Sequence, residues 1–119
     1  MKKILIIEDD SFLKNLESAK LTQSGFEVAS ATTKAEVDAA LEAGLPDVIL
    51  LDLMLPDVDG HALLAQFKGD EKTKSIPVIV FSNLSDDVEM KRVMDAGATD
   101  FMVKSNFTLD DVIEKISKL

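Results

Sequence analysis

Five short apolar runs alternate with five longer segments in which apolar residues recur at helical spacing, and this alternation constrains the fold more than any other feature. Apolar runs separated by helix-length segments are typical of strand–helix units that build a parallel sheet covered by helices on both faces. The sequence therefore predicts an α/β domain with a doubly wound, five-stranded parallel sheet and five helices.

The bounds of these elements follow from capping residues, glycines and prolines. Strands are expected over Lys3 to Ile7, Glu27 to Ala31, Asp47 to Leu51, Pro77 to Phe81 and Asp100 to Val103. Helices are expected over Ser11 to Thr22, Thr33 to Ala43, just after Gly60 to about Lys68, about Asp86 to Asp95, and Thr108 to Leu119. The first, third and fourth strands are nearly all apolar, so they should be the central ones.

Composition narrows the functions that such a domain can have. The chain has 119 residues, 46% of them hydrophobic, which suits one domain with one core. It has no cysteine, so carboxylates are the expected ligands of any bound ion, and they favour a hard cation such as Mg²⁺. A net charge of −9 disfavours nucleic acid as a partner. No apolar stretch approaches the roughly 20 residues that span a bilayer, and none resembles a signal peptide, so we expect a soluble cytoplasmic protein that does not bind membranes.

Polar residues follow four of the predicted strands. The strand tips of a parallel sheet share one edge, where ligands bind in open α/β sheets. The residues expected there are Glu8, Asp9, Asp52, Ser82 and Lys104. Three neighbouring carboxylates repel one another unless a divalent cation neutralises them. Beside such a cation, Asp52 could attack phosphorus to form an acyl phosphate, while Lys104 and Ser82 stabilise the phosphoryl oxygens.

Each of these residues taken alone also has an ordinary structural interpretation, as a helix cap, a strand-end hydroxyl or a solvated charge, and only their joint placement favours a site. Neighbouring residues fit structural roles better. Asp10 is favoured as a helix cap, and Asp57 and Asp59 fit the turn that ends in Gly60, with Asp59 a candidate cap of the third helix. His61, the one histidine of the sequence, is interpreted as an exposed surface residue.

Four segments resemble the receiver domain of bacterial two-component response regulators. They are IIEDD at 6–10, VILLDLMLPDVDG at 48–60, PVIVFS at 77–82 and AGATDFMVK at 96–104. The resemblance covers the whole chain, so it implies a single receiver domain over 1–119 with no output domain in this chain. It also implies the flavodoxin-like strand order 2-1-3-4-5.

The resemblance further implies a phosphorylation-controlled signalling switch. Asp52 would accept a phosphoryl group from a partner histidine kinase or phosphotransfer protein. Mg²⁺ would be held by the side chains of Glu8, Asp9 and Asp52 and by the backbone carbonyl of Met54. The domain would be no enzyme beyond its own phosphorylation and dephosphorylation.

The same resemblance assigns the switch to Ser82 and Phe101. The hydroxyl of Ser82 would turn towards the phosphoryl group, and the ring of Phe101 would move from an exposed to a buried position. The surface of the fourth helix, fifth strand and fifth helix would then change towards a downstream target or output domain. Phe101 is equally compatible with an ordinary core position.

Two positions depart from the family pattern. Most receivers have proline after the lysine, joined by a cis peptide, whereas this chain has Ser105, for which cis costs about 2.5 to 4 kcal/mol. We therefore predict a trans Lys104–Ser105 bond and a rearranged loop before the last helix. Asn83 stands where the family often has a smaller residue, so we expect restricted access of water to Asp52 and slow loss of phosphate.

Other interpretations stay open. By similarity, Phe12 and Asn15 on the first helix are candidate contacts with the kinase, although Phe12 fits the core equally well. A Mg²⁺-dependent phosphohydrolase with Asp52 as nucleophile is the enzymatic alternative. Aspartyl phosphatases that resemble haloacid dehalogenases carry a second aspartate two residues after the first, and this chain has Met54 there, which argues against turnover. A receiver-like scaffold that is never phosphorylated would not need the complete set of acids, hydroxyl and lysine. A flavodoxin-like cofactor module would need a phosphate loop after the first strand.

Overall fold

The computed structural model describes residues 2–84 and 86–119. Its elements alternate strictly between strand and helix along the chain. They are β1 (Lys3–Ile7), α1 (Ser11–Gln23), β2 (Glu27–Ala31), α2 (Lys34–Ala43), β3 (Val48–Leu51), α3 (Gly60–Gly69), β4 (Val78–Ser82), α4 (Asp87–Asp95), β5 (Asp100–Val103) and α5 (Leu109–Ser117). The predicted α/β class and all ten elements are confirmed, with bounds that agree to within two residues.

The five strands form one parallel sheet in the order β2-β1-β3-β4-β5. The three strands predicted to be central, β1, β3 and β4, occupy the centre. The order reverses between β1 and β3, which is the point where sheets of this kind bind ligands. The predicted strand order is therefore confirmed.

Alternate residues of each central strand feed two separate cores. In β1, Leu5 and Ile7 belong to the core on one face of the sheet, and Ile4 and Ile6 belong to the core on the other. This period-two division is what a strand covered by helices on both faces requires. The sheet is thus fixed at its centre, and its strand tips have well-defined positions.

Each helix begins at a side chain that caps its free backbone amides. Asp10 accepts a hydrogen bond from the Leu13 amide, and Asp59 accepts one from the His61 amide. Thr108 and Asp111 form a reciprocal capping box at the start of α5. The predicted capping roles of Asp10 and Asp59 are confirmed.

Across the described residues 2–84 and 86–119, no peptide bond is cis, so the predicted trans Lys104–Ser105 bond is confirmed. Within the same residues, no helix is long and apolar enough to cross a membrane.

Candidate functional site

Two neighbouring strands bring Glu8 and Asp52 together. Ile7, the last residue of β1, lies opposite Leu51, the last residue of β3. The Asp52 amide then donates a hydrogen bond of 2.9 Å to the Ile7 carbonyl, so the ladder continues one residue beyond the strands. The side chains of the next residue on each strand therefore emerge side by side at the switch point of the sheet.

The carboxylates of Glu8, Asp9 and Asp52 form a compact group. Each contributes one oxygen, and these oxygens lie within 4.8 Å of one another. Glu8 and Asp52 are buried, whereas Asp9 is exposed, so the group is open to solvent on one side. Three hard oxygen donors with one open side fit a Mg²⁺ ion that keeps several of its waters.

The ammonium group of Lys104 bridges two of these acids. Its Nζ lies 2.6 Å from Glu8 Oε1 and 3.0 Å from Asp52 Oδ2, and the Lys104 side chain is only 12% exposed. Burial lowers the pKa of Lys104, but the contacts with Glu8 and Asp52 outweigh that effect and raise it. Lys104 therefore stays charged at neutral pH and partly neutralises the acidic group.

The carboxyl group of Glu8 has a perturbed pKa. Burial, followed by its interaction with Asp52, raises the pKa of Glu8 to about 7, and Lys104 opposes the rise. The second carboxylate oxygen of Glu8, Oε2, accepts hydrogen bonds from the amides of Asp9 and Asp10 at 3.1 and 3.3 Å. Glu8 is thus held in place by the backbone while its charge depends on the positive charge nearby.

Asp52 has a hydrogen-bond partner on each carboxylate oxygen. Oδ1 accepts from the Met54 amide at 3.1 Å, and Oδ2 accepts from Lys104. The carboxylate faces a cavity of about 270 Å³. The lining residues are Glu8, Asp9, Asp10, Leu13, Asp52, Met54, Asn83 and Lys104. Every predicted metal-binding residue therefore lines one cavity, together with the predicted phosphoacceptor and the predicted lysine.

Ser82 is positioned differently from the other predicted site residues. It is fully buried at the end of β4, and within the described part of the chain it is not a lining residue of the cavity. Its Oγ accepts a long hydrogen bond of 3.4 Å from the Leu84 amide. Of the predicted catalytic residues, Asp52 and Lys104 line the cavity and Ser82 does not.

Three other predicted residues have informative surroundings. Phe101 is 6% exposed and packs in the core, which is the position that the switch interpretation assigns to the phosphorylated state and that the core interpretation assigns to every state. Phe12 is 78% exposed, so its interpretation as core is wrong. His61 is not an exposed surface residue: its side chain is 12% exposed, and Nε2 lies 2.5 Å from Glu89 Oε2 on α4. The pattern of α3 alone could not reveal this partner, which is 28 residues away in sequence.

Sequence reasoning also missed Glu17, a buried acid on α1. Within residues 2–84 and 86–119, its Oε1 has no hydrogen-bond partner. Burial, with a smaller contribution from the negative charge of Glu8, raises its pKa to about 8. An acid at a position of α1 that faces the sheet was the available signal, since one face of a helix in such a domain should be apolar.

The fold and the site together define a flavodoxin-like domain with an acidic group bridged by lysine at the switch point of its sheet. Comparison with known proteins then identifies the family. Residues 4–117 match the family described as the response regulator receiver domain. The chain is 37% identical over 122 residues to the transcriptional regulatory protein KdpE of Staphylococcus aureus, and the match covers 98% of the chain and 51% of KdpE.

Two solved structures are similar over almost the whole chain. The phosphorylated cyanobacterial phytochrome response regulator RcpA is 31% identical with a TM-score of 0.84, covering 98% of this chain and 89% of that one. The Mn²⁺-bound form of the response regulator Rcp1 is 26% identical with a TM-score of 0.83, covering 99% of this chain and 91% of that one. The predicted resemblance is confirmed.

The chain belongs to the receiver domains of two-component response regulators, which are phosphoacceptor switches. Members of this family bind divalent metal and interact with histidine kinases and output domains. The chain spans about half the length of the first curated relatives it matches.

Proposed function

We propose that Asp52 accepts a phosphoryl group from a phosphohistidine of a partner kinase or phosphotransfer protein. One observation carries this proposal: the buried Asp52 carboxylate faces a cavity in which the Lys104 ammonium bridges it to Glu8. A nucleophilic oxygen and a cation that can neutralise an incoming phosphoryl oxygen are therefore already adjacent.

The transfer is a displacement at phosphorus. A carboxylate oxygen of Asp52 forms the new P–O bond as the P–N bond of the phosphohistidine breaks, and the imidazole of the donor keeps the electron pair. The Met54 amide holds Oδ1 and so orients the carboxylate. Lys104 then loses part of its contact with the acids and gains one with the phosphoryl oxygens, as a point charge requires.

The carboxylates of Glu8, Asp9 and Asp52 and the carbonyl of Met54 are the residues that would hold Mg²⁺. When bound, the ion screens the negative charge that opposes the approach of a phosphoryl group. The raised pKa of Glu8 couples metal binding to its ionisation, because the positive charge of a bound ion would favour the ionised form of its carboxyl group. Metal binding at about pH 7 should therefore release protons.

The wider role of the domain forms part of the same proposal. Ser82 and Phe101 are the proposed switch residues, and the proposed output is the surface formed by α4, β5 and α5. Phe12 and Asn15, both exposed on α1, are proposed contacts with the kinase. We place the domain, over residues 1–119, in the cytoplasm as a regulator that turns over no separate substrate; Met1 lies outside the described residues.

The test is incubation with Mg²⁺ and acetyl phosphate, followed by intact mass spectrometry. Wild type should gain one phosphoryl group, Asp52→Asn should gain none, and omission of Mg²⁺ should suppress the gain. Asp57→Asn is the matched control, because Asp57 is an exposed acid five residues away that accepts hydrogen bonds from the Lys34 amide. Equal phosphorylation of wild type and Asp52→Asn would refute the proposal.

A further inference from the structure

A chain of two hydrogen bonds joins α1 to the backbone of the predicted metal-binding acids. Lys14 Nζ lies 2.8 Å from Thr32 Oγ1, and Thr32 Oγ1 lies 3.2 Å from the Glu8 carbonyl oxygen. An ammonium group can only donate and a carbonyl oxygen can only accept, so the direction of the chain is fixed. Lys14 donates to the Thr32 hydroxyl, and that hydroxyl donates to Glu8.

The chain of hydrogen bonds ends on the peptide that links Glu8 to Asp9. This peptide is trans, so its carbonyl and its amide point in opposite directions within one plane. Thr32 donates to the carbonyl, and the amide donates to Glu8 Oε2 at 3.1 Å. The orientation of this one peptide therefore sets both the direction of the Glu8 carboxylate and the starting point of the Asp9 side chain.

Both donors are anchored by bonds of their own. Lys14 lies near the start of α1, where its amide donates to the Asp10 carbonyl at 2.8 Å. Thr32 lies between β2 and α2, where its amide donates to Glu36 Oε1 at 2.9 Å. Lys14 and Thr32 are both half-buried, so they reach Glu8 from fixed positions on two different connections of the sheet.

We propose that Lys14 and Thr32 are positioning residues for the metal site, because they fix the peptide between Glu8 and Asp9. The inference rests on the proposed binding of Mg²⁺ by Glu8, Asp9 and Asp52. Two of these three acids flank the peptide, so its rotation would change the distance between their carboxylates. Neither Lys14 nor Thr32 is among the described residues that line the cavity, so both act through the backbone. Residues that orient metal ligands in this indirect way contribute roughly ten- to a hundredfold to metal affinity.

The first experiment examines the peptide without any metal. Hydrogen exchange of the Asp9 amide, followed by NMR, should be about tenfold faster in Thr32→Val than in wild type, because the peptide loses its anchor. Thr32→Ser keeps the hydroxyl and should exchange like wild type. The amides of β4 are the internal reference and should exchange at the same rate in all three proteins. Unchanged exchange of the Asp9 amide in Thr32→Val, or an equal acceleration in β4, would overturn the proposal.

The second experiment measures the binding of Mg²⁺ alone by calorimetry at constant ionic strength. Thr32→Val should bind about tenfold more weakly than wild type, and Thr32→Ser should bind like wild type. Lys14→Met should bind about threefold more weakly, because the Thr32 hydroxyl loses the donor that fixes its direction. Lys20→Met is the matched control and should bind like wild type, because Lys20 lies on the same helix and pairs with Asp110 instead.

The Lys14 variant separates a positioning role from a role of charge. Loss of a positive charge near the acids would by itself strengthen the binding of a cation, so tighter binding by Lys14→Met would refute the proposal. The double variant should bind no more weakly than Thr32→Val, because Lys14 acts through Thr32, and a loss equal to the two single losses combined would also refute it. Failure of wild type to bind Mg²⁺ would contradict the proposed metal site and with it this role for both residues. The exchange of the Asp9 amide tells these two failures apart.

Discussion

Glu17 provides a quantitative test of the electrostatics beneath the site. Its carboxyl group lies inside the fold, on the face of α1 that packs against the sheet and α5, and it is 2% exposed. Its neighbours there include Leu21, Leu50, Val112 and Ile113. Burial without a partner for Oε1 disfavours the charged form, so the pKa of Glu17 is raised from 4.5 to about 8.

The sign and size of the effect on stability follow from proton binding. In the unfolded chain Glu17 loses its proton above about pH 4.5, whereas in the folded protein it keeps it until about pH 8. Between these values the folded state binds more protons, so the free energy of unfolding falls as pH rises. The full penalty is on the order of 5 kcal/mol, of which about 3 kcal/mol is already present at pH 7.

The perturbation is Glu17→Gln, which removes the charge and keeps the size of the side chain. Urea unfolding from about pH 5 to about pH 8.5 should show the variant within about 1 kcal/mol of wild type at the acidic end and more stable by about 4 kcal/mol at the alkaline end. The raised pKa of Glu8 destabilises both proteins with rising pH, so it largely cancels in the comparison. Glu42→Gln, at an exposed acid of α2, is the control and should show no such divergence. Parallel curves for wild type and Glu17→Gln would refute the reasoning.

Three further outcomes are expected. Gly60→Ala should lower the free energy of unfolding by about 2 kcal/mol or more, because the added Cβ would overlap the Leu53 backbone. Gly69→Ala is the control and should be near neutral, because a Cβ there would have nothing within 4 Å. Equal losses of stability for the two variants in urea unfolding would contradict this. Mg²⁺ at ten times its dissociation constant for wild type should stabilise wild type by about 1.4 kcal/mol in thermal melts, and the same concentration should stabilise Asp9→Asn less. An equal stabilisation of the two proteins by Mg²⁺ would argue against the proposed metal site. Lys104→Met should cost about 3 kcal/mol near pH 8 and less near pH 5, where Glu8 is protonated because its pKa is raised to about 7. A loss independent of pH would count against the bridge.

The sequence was sufficient for the fold because its signals agree at several levels. The four apolar residues of β3 are all buried, as a continuous apolar run predicts for a central strand. Caps such as Asp10 and Thr108 sit where the pattern predicts helix starts. The switch point then brings Glu8 and Asp52 together through the strand order alone. These features depend on local patterns and on parallel-sheet topology, which sequence reasoning can reach.

The remaining features depend on contacts between elements that no local pattern encodes. The burial of Glu17 depends on how α1 and α5 pack, and the partner of His61 lies on a different helix. The placement of Ser82 outside the cavity depends on the path of the chain after β4. The pattern of residues predicts Ser82 as a site residue, but only the tertiary structure shows that it does not line the cavity.

The most direct test of the central claim is to trap the acyl phosphate. After incubation with Mg²⁺ and acetyl phosphate, borohydride reduction converts a phosphorylated aspartate to homoserine, which peptide mass spectrometry locates in the sequence. The account predicts homoserine at position 52, none when Mg²⁺ is omitted, and unmodified Asp57 and Asp59. Homoserine at another acid, or none at all under conditions that phosphorylate a known receiver domain, would contradict it.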